Sequence, residues 1–119
     1  MLIKRLKDCK EITAGDRTRL RELLHPARHA VALRYSLAVA WLALGARSRV
    51  HRLKTAEVYY IVRGTGGMHI DEEAAEVTTG DAVYIPPGSV QWLENTGEEE
   101  IEFLCIVDPA WRPEDEQVL

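Results

Sequence analysis

Turn-forming residues interrupt this chain so often that no long helix fits in its second half. Residues 64–67, Gly80-Asp81, Pro86-Pro87-Gly88, Asn95-Thr96-Gly97 and Asp108-Pro109 fall at short intervals, and Gly15-Asp16, Pro26 and Gly45 punctuate the first half. Between these marks lie short segments of β-branched and aromatic residues, such as Val58-Tyr59-Tyr60-Ile61-Val62, Ala82-Val83-Tyr84-Ile85 and the run 101–107. Short strands at regular spacing between turns indicate an all-β sandwich or barrel. Residues 30–44, rich in Ala and Leu, argue the other way, since propensity alone favours helix there. A strand at 30–44 requires tertiary pairing to override propensity, and periodicity alone does not decide it.

The length of 119 residues suits one domain, large enough for a core without disulfides. Cys9 and Cys105 match no metal or redox spacing. Cys105, inside an apolar run, reads as a buried core thiol, and only two cysteines, far apart in sequence, suit a reducing, cytoplasmic location better than a secreted one. The N-terminus has charges but no apolar signal core. Residues 30–46 are too short for a membrane span and contain Arg34. The net charge of −4 argues against general nucleic-acid affinity. Charge is unevenly spread: residues 1–54 hold thirteen Lys and Arg against four Asp and Glu, and residues 55–119 hold two against fifteen. With no long basic run, this predicts interleaved charges between the halves or between subunits, not a nucleic-acid arm.

Two spaced sets of residues narrow the fold further. Gly45, His51, Leu53, Glu57 and Gly64 form the first; Gly80, Pro86, Gly88, Gln91 and Asn95 form the second. They resemble the two signature motifs of the cupin superfamily, G-x5-H-x-H-x3-E-x6-G and G-x5-P-x-G-x2-H-x3-N, at eight of ten positions with every spacing kept. The resemblance implies a small double-stranded β-helix, or jelly-roll, barrel spanning residues 1–119. Its parts would be an N-terminal strand region in 1–24, a barrel core at about 30–108 and a C-terminal tail at 109–119.

The two departures both fall on ligand positions. Metal-binding cupins are expected to carry three histidines and one carboxylate. Here Leu53 and Gln91 replace two of the histidines. The resemblance therefore implies a candidate metal site of His51, Glu57 and Gln91, holding one divalent ion (Fe, Mn, Ni or Zn) weakly. An amide coordinates only through its carbonyl oxygen, and leucine not at all. Glu57 is also a candidate base. The alternative is a metal-free mouth in which His51, Glu57 and Gln91 hydrogen-bond one another and water.

Residues two apart on a strand share a face. Glu57, Tyr59 and Ile61 are then interior, and Leu53, Tyr59, Met68 and Phe103 are assigned to the ligand pocket. His25 could supply a further imidazole from a strand end. Alternation turns His69 and Trp92 outward. Trp111 is expected to anchor the tail, and Asn95 to serve a turn. Apolar outward positions Val58, Tyr60, Leu104 and Ile106 want cover, which predicts a homodimer. The fold leaves two functions open: a divalent-metal enzyme on a small polar molecule, and a non-catalytic, metal-free module binding a small ligand.

Overall fold

The computed structural model describes residues 1–119 and contains eleven strands, two short 3-10 turns and no α-helix. The strands are β1 (Glu11–Thr13), β2 (Arg19–Leu24), β3 (Ser36–Leu42), β4 (His51–Leu53), β5 (Ala56–Arg63), β6 (Thr65–Ile70), β7 (Glu73–Thr78), β8 (Ala82–Ile85), β9 (Gln91–Asn95), β10 (Ile101–Asp108) and β11 (Glu116–Val118). They form two sheets, ordered β1-β2-β3-β10-β5-β8 and β11-β4-β9-β6-β7. All pairings are antiparallel. This is the jelly-roll barrel expected from the sequence.

The Ala/Leu-rich stretch shows how pairing overrides propensity. Only Ser36–Leu42 is strand; residues 30–35 are irregular, so the strand is shorter than expected. It is paired on both edges, with β2 and with β10, which makes it a central strand. Its inward residues Ala38, Ala40 and Leu42 face the core opposite Cys105, Phe103 and Ile101. Small side chains at Ala38 and Ala40 leave room for the rings of Tyr59 and Phe103, whose centroids lie 4.7 Å apart.

The core joins the inner faces of both sheets: Ile61, Ile85, Ile101 and Phe103 from one, Met68, Val77 and Leu93 from the other. Gly64 turns β5 into β6 at φ +99°, a left-handed conformation that favours glycine. A Cβ there would also press on the Ile101 backbone at 3.0 Å.

The ends of the chain complete one rim of the barrel. The tail forms β11, which pairs with β4 and sets Val118 opposite His51 and Glu116 opposite Leu53. The first eighteen residues cross the mouth as a 3-10 turn at Leu6–Asp8, β1 and a turn at 14–18. The basic and acidic halves of the sequence interleave, as Arg19–Glu100 at 2.8 Å and Arg34–Asp108 at 3.0 Å show.

Candidate functional site

A cavity of about 580 Å³ opens at this rim. His51, Leu53, Glu57, Tyr59, Phe103 and Cys105 line it from the barrel, and Asp16, Trp111 and Glu116 from the chain ends. Strand alternation explains the barrel set: His51 and Leu53 are the two inward residues of β4, and Glu57 and Tyr59 are two of the three of β5, the third being Ile61 in the core.

His51 starts β4 directly opposite Gln91 on β9. Its Nδ1 lies 2.7 Å from the Arg49 carbonyl. A carbonyl only accepts, so Nδ1 carries a proton, and in the neutral ring the lone pair is on Nε2. Nε2 lies 3.8 Å from Asp16 Oδ2.

Gln91 is fully buried and bridges the two sheets. Its Nε2 donates to Glu57 Oε1 at 3.0 Å, and its Oε1 accepts from the Tyr59 hydroxyl at 3.0 Å. Burial pushes the Glu57 carboxyl up to about 8; the Gln91 bond opposes this, and the negative charges of Asp16 and Glu116 add to it. Glu57 is therefore a neutral acid at pH 7. Burial also pushes up the Tyr59 hydroxyl and the Cys105 thiol, and both keep their protons.

The residues present do not fit the family's metal centre. Leu53, 3% exposed, occupies one ligand position with an apolar side chain. The only atom of Gln91 able to coordinate is already occupied by Tyr59, and its nitrogen points at Glu57. No three His, Cys, Asp or Glu side chains converge as a metal-binding group.

Other assignments resolve individually. Leu53, Tyr59 and Phe103 line the cavity, but Met68 does not: it packs in the core, on a β6 position paired with Leu93 and Ala75. Gln91 lies behind the wall and not on it. His25 does not reach the mouth either. Its Nδ1 accepts the Ala27 N–H at 3.1 Å and its Nε2 contacts the Trp111 carbonyl at 2.8 Å, so one ring nitrogen is committed to the local turn and the other to bracing the tail. His69 and Trp92 are outward and stack at 3.5 Å, with Arg47 against the Trp92 ring. Trp111 anchors the tail through Ser36 and also lines the cavity.

Sequence reasoning missed Asp16 and Glu116. Gly15-Asp16 was visible only as a turn signal, and Glu116 lies in the C-terminal tail, outside both motifs. Half-buried Glu116 is held above the usual carboxylate range by burial, which attraction to the His51 imidazole in its charged form opposes.

The cupin domain family matches residues 39–107, more than half of the chain. The chain belongs to this family. An uncharacterized protein of Methanocaldococcus jannaschii is 38% identical over 111 residues, covering 92% of this chain and 88% of that protein. Among solved cupin-like structures, a predicted oxalate decarboxylase from Thermotoga maritima superposes with TM-score 0.78 at 22% identity, covering 91% of this chain and 99% of that one. The polyketide cyclase RemF from Streptomyces resistomycificus gives TM-score 0.82 at 19% identity, covering 100% and 85%. At these identities the two structures speak to the fold alone.

Proposed function

We propose that this cupin is a small-molecule enzyme working by acid–base chemistry without a metal. The observation that carries the reading is the Tyr59–Gln91–Glu57 chain of hydrogen bonds, which uses the amide as a structural bridge and leaves Glu57 a neutral acid on the same cavity wall as the His51 imidazole, whose Nε2 is free to act as the base in the neutral ring. In such a pair, Nε2 of His51 takes a proton from a carbon next to a carbonyl. Glu57 gives its proton to the carbonyl oxygen, and an enol results. Reversal with the proton returned at another position completes an isomerisation. Asp16 and Glu116 stabilise the imidazolium formed at His51.

The metal question is tested first. Protein purified without chelator is analysed for Fe, Mn, Ni and Zn, then titrated with each ion beside Gln91→His and the Leu53→His/Gln91→His double variant. The expected outcome is an empty wild type and a double variant that binds, since it regains two imidazoles. Stoichiometric metal in the wild type sinks the reading. Catalysis is tested by deuterium uptake from D2O into hydroxylated carbonyl compounds. Uptake lost in His51→Gln supports the enzyme; saturable binding without uptake leaves the non-catalytic binding module.

Two further parts of the proposal concern context. Cys9 and Cys105 are both free thiols, which supports a reducing, cytoplasmic compartment. The outer face of the larger sheet carries Tyr60, Val62 and Tyr84 exposed, next to Val58, Leu104 and Ile106, which supports a homodimer across that face.

A further inference from the structure

Asp16 and His51 each present one unpartnered acceptor to the cavity. Asp16 is 7% exposed and His51 3%, and both line the same space. Asp16 Oδ1 accepts the N–H and the hydroxyl of Thr18 at 3.0 and 2.7 Å, which leaves Oδ2 without a donor. The Arg49 carbonyl holds a proton on Nδ1 of His51, which fixes the tautomer of the neutral ring so that Nε2 is the nitrogen that faces the cavity as an acceptor. Asp16 Oδ2 and His51 Nε2 stand 3.8 Å apart: an ion pair when the ring is protonated, and with the neutral ring two acceptors close enough to be met by one molecule.

Their separation is fixed by the backbone. The Arg49 N–H donates to the Asp16 carbonyl at 2.8 Å, while the Arg49 carbonyl accepts from His51. One residue thus ties the 14–18 turn to the ring it faces. Both acceptors open onto the cavity, so such a wall suits a ligand that brings donors.

We propose that Asp16 and His51 form a two-point clamp for a hydroxylated small molecule, a polyol or sugar whose adjacent hydroxyls donate one to Nε2 and one to Oδ2. This rests on the metal-free reading of the cavity. Charge selects among ligands. The groups facing His51 are Asp16 from the turn, Glu116 from β11 and Glu57 from β5, all acidic. A dicarboxylate brings two negative charges and no donor to that wall. An ammonium brings donors, but it enters a cavity also lined by Lys4, Lys10 and Arg28. A neutral diol supplies two donors without either penalty.

The test is a chemical-shift titration of the full chain, read at the His51 side chain. The probes are methyl β-D-ribofuranoside, its 2-deoxy analogue, oxalate and ethylamine. The riboside has one vicinal diol and the deoxy analogue none. The riboside is expected to shift His51 saturably, and the analogue to bind at least about tenfold more weakly, the effect of one buried acceptor left unpaired. Asp16→Asn keeps an oxygen for Thr18 and replaces Oδ2 with a donor; it should weaken the riboside by a similar factor while its melting temperature stays near wild type. Equal binding of riboside and deoxy analogue overturns the clamp. So does equal binding to Asp16→Asn, or a response at His51 to oxalate or ethylamine alone. A Zn2+ titration of the same sample separates the two proposals. Tight metal binding defeats the metal-free function, whereas no metal and no riboside binding defeats the clamp only.

Discussion

Gln91 Nε2 donates to Glu57 Oε1 at 3.0 Å across the barrel, joining β9 of one sheet to β5 of the other. Where the family's motif has an imidazole beside a carboxylate, an amide here bonds the carboxyl directly. The second hydrogen bond, from Tyr59, fixes which end of the amide faces Glu57. A position expected to hold an ion instead holds a polar crosslink with both its partners satisfied, at a depth where an unpaired polar group would be costly.

The first consequence is a dependence of stability on pH. Folding raises the Glu57 carboxyl from an ordinary 4.5 to about 8, chiefly by burial. Between those values the folded chain holds a proton that the unfolded chain has lost. The contribution is fully present below pH 4.5 and is lost as pH rises through 8, with a slope of at most about 1.4 kcal/mol per pH unit. Urea unfolding at pH 5, 6, 7 and 8 should show stability falling with pH. Glu57→Gln, which keeps the shape and an acceptor for Gln91, should flatten most of that slope. A residual slope of the same sign remains from Glu116, also raised by burial. A wild type that gains stability from pH 5 to 8 contradicts this account.

The last residue of the second motif makes a separate prediction about the fold. Asn95 Nδ2 lies 3.1, 3.3 and 2.8 Å from the carbonyls of Leu42, Ala43 and Glu99, and its Oδ1 accepts the Gly97 N–H at 3.0 Å. One side chain thus ties the end of β3 to the turn between β9 and β10. Asn95→Ala leaves these groups unpaired in a partly buried place and should cost about 2–4 kcal/mol. Asn95→Asp should cost a comparable amount, because a carboxylate cannot donate to three carbonyls. Equilibrium denaturation measures both; a loss below about 0.5 kcal/mol in either variant shows that the turn holds without this side chain.

How much of this was readable in the sequence depends on the range of each interaction. The motif spacings carried the barrel, because Gly64 and the Pro86-Pro87-Gly88 turn act locally and strand alternation then sets which side chains point inward. His51, Glu57, Tyr59 and Phe103 followed from that alternation. Met68 followed it too and still missed the cavity, since pointing inward does not say at which end of the barrel a side chain lies. Asp16, Glu116 and Trp111 were out of reach for a different reason. They lie outside both motifs, and only the folding of both chain ends over one rim brings them to His51. His25 was misjudged because its ring is consumed by Ala27 and Trp111, a partner far along the chain.

The apolar outer face of the larger sheet leads to the prediction on assembly. Leu104 lies beside Tyr60, Ile106 beside Val58, and Val58 beside Tyr84, so these residues form one continuous surface over β10, β5 and β8. Tyr84 is 62% exposed and Tyr60 43%, large side chains for an uncovered position. A face of this kind pairs well with its own copy about a two-fold axis, and a flat sheet buries aromatic anchors on both sides at once. Sedimentation equilibrium at micromolar concentration should give a dimer. Tyr84→Glu places a charge within that contact in both subunits and should shift the dimer toward monomer by tenfold or more in Kd. The fold should survive, because Tyr84 points away from the core. Gln117→Glu, on the other sheet and exposed, is the control and should leave the equilibrium unchanged. A wild type that stays monomeric at 100 times that concentration removes the homodimer. A dimer indifferent to Tyr84→Glu but broken by a charge at the rim near Ile12 would move the interface from the sheet face to the N-terminal segment.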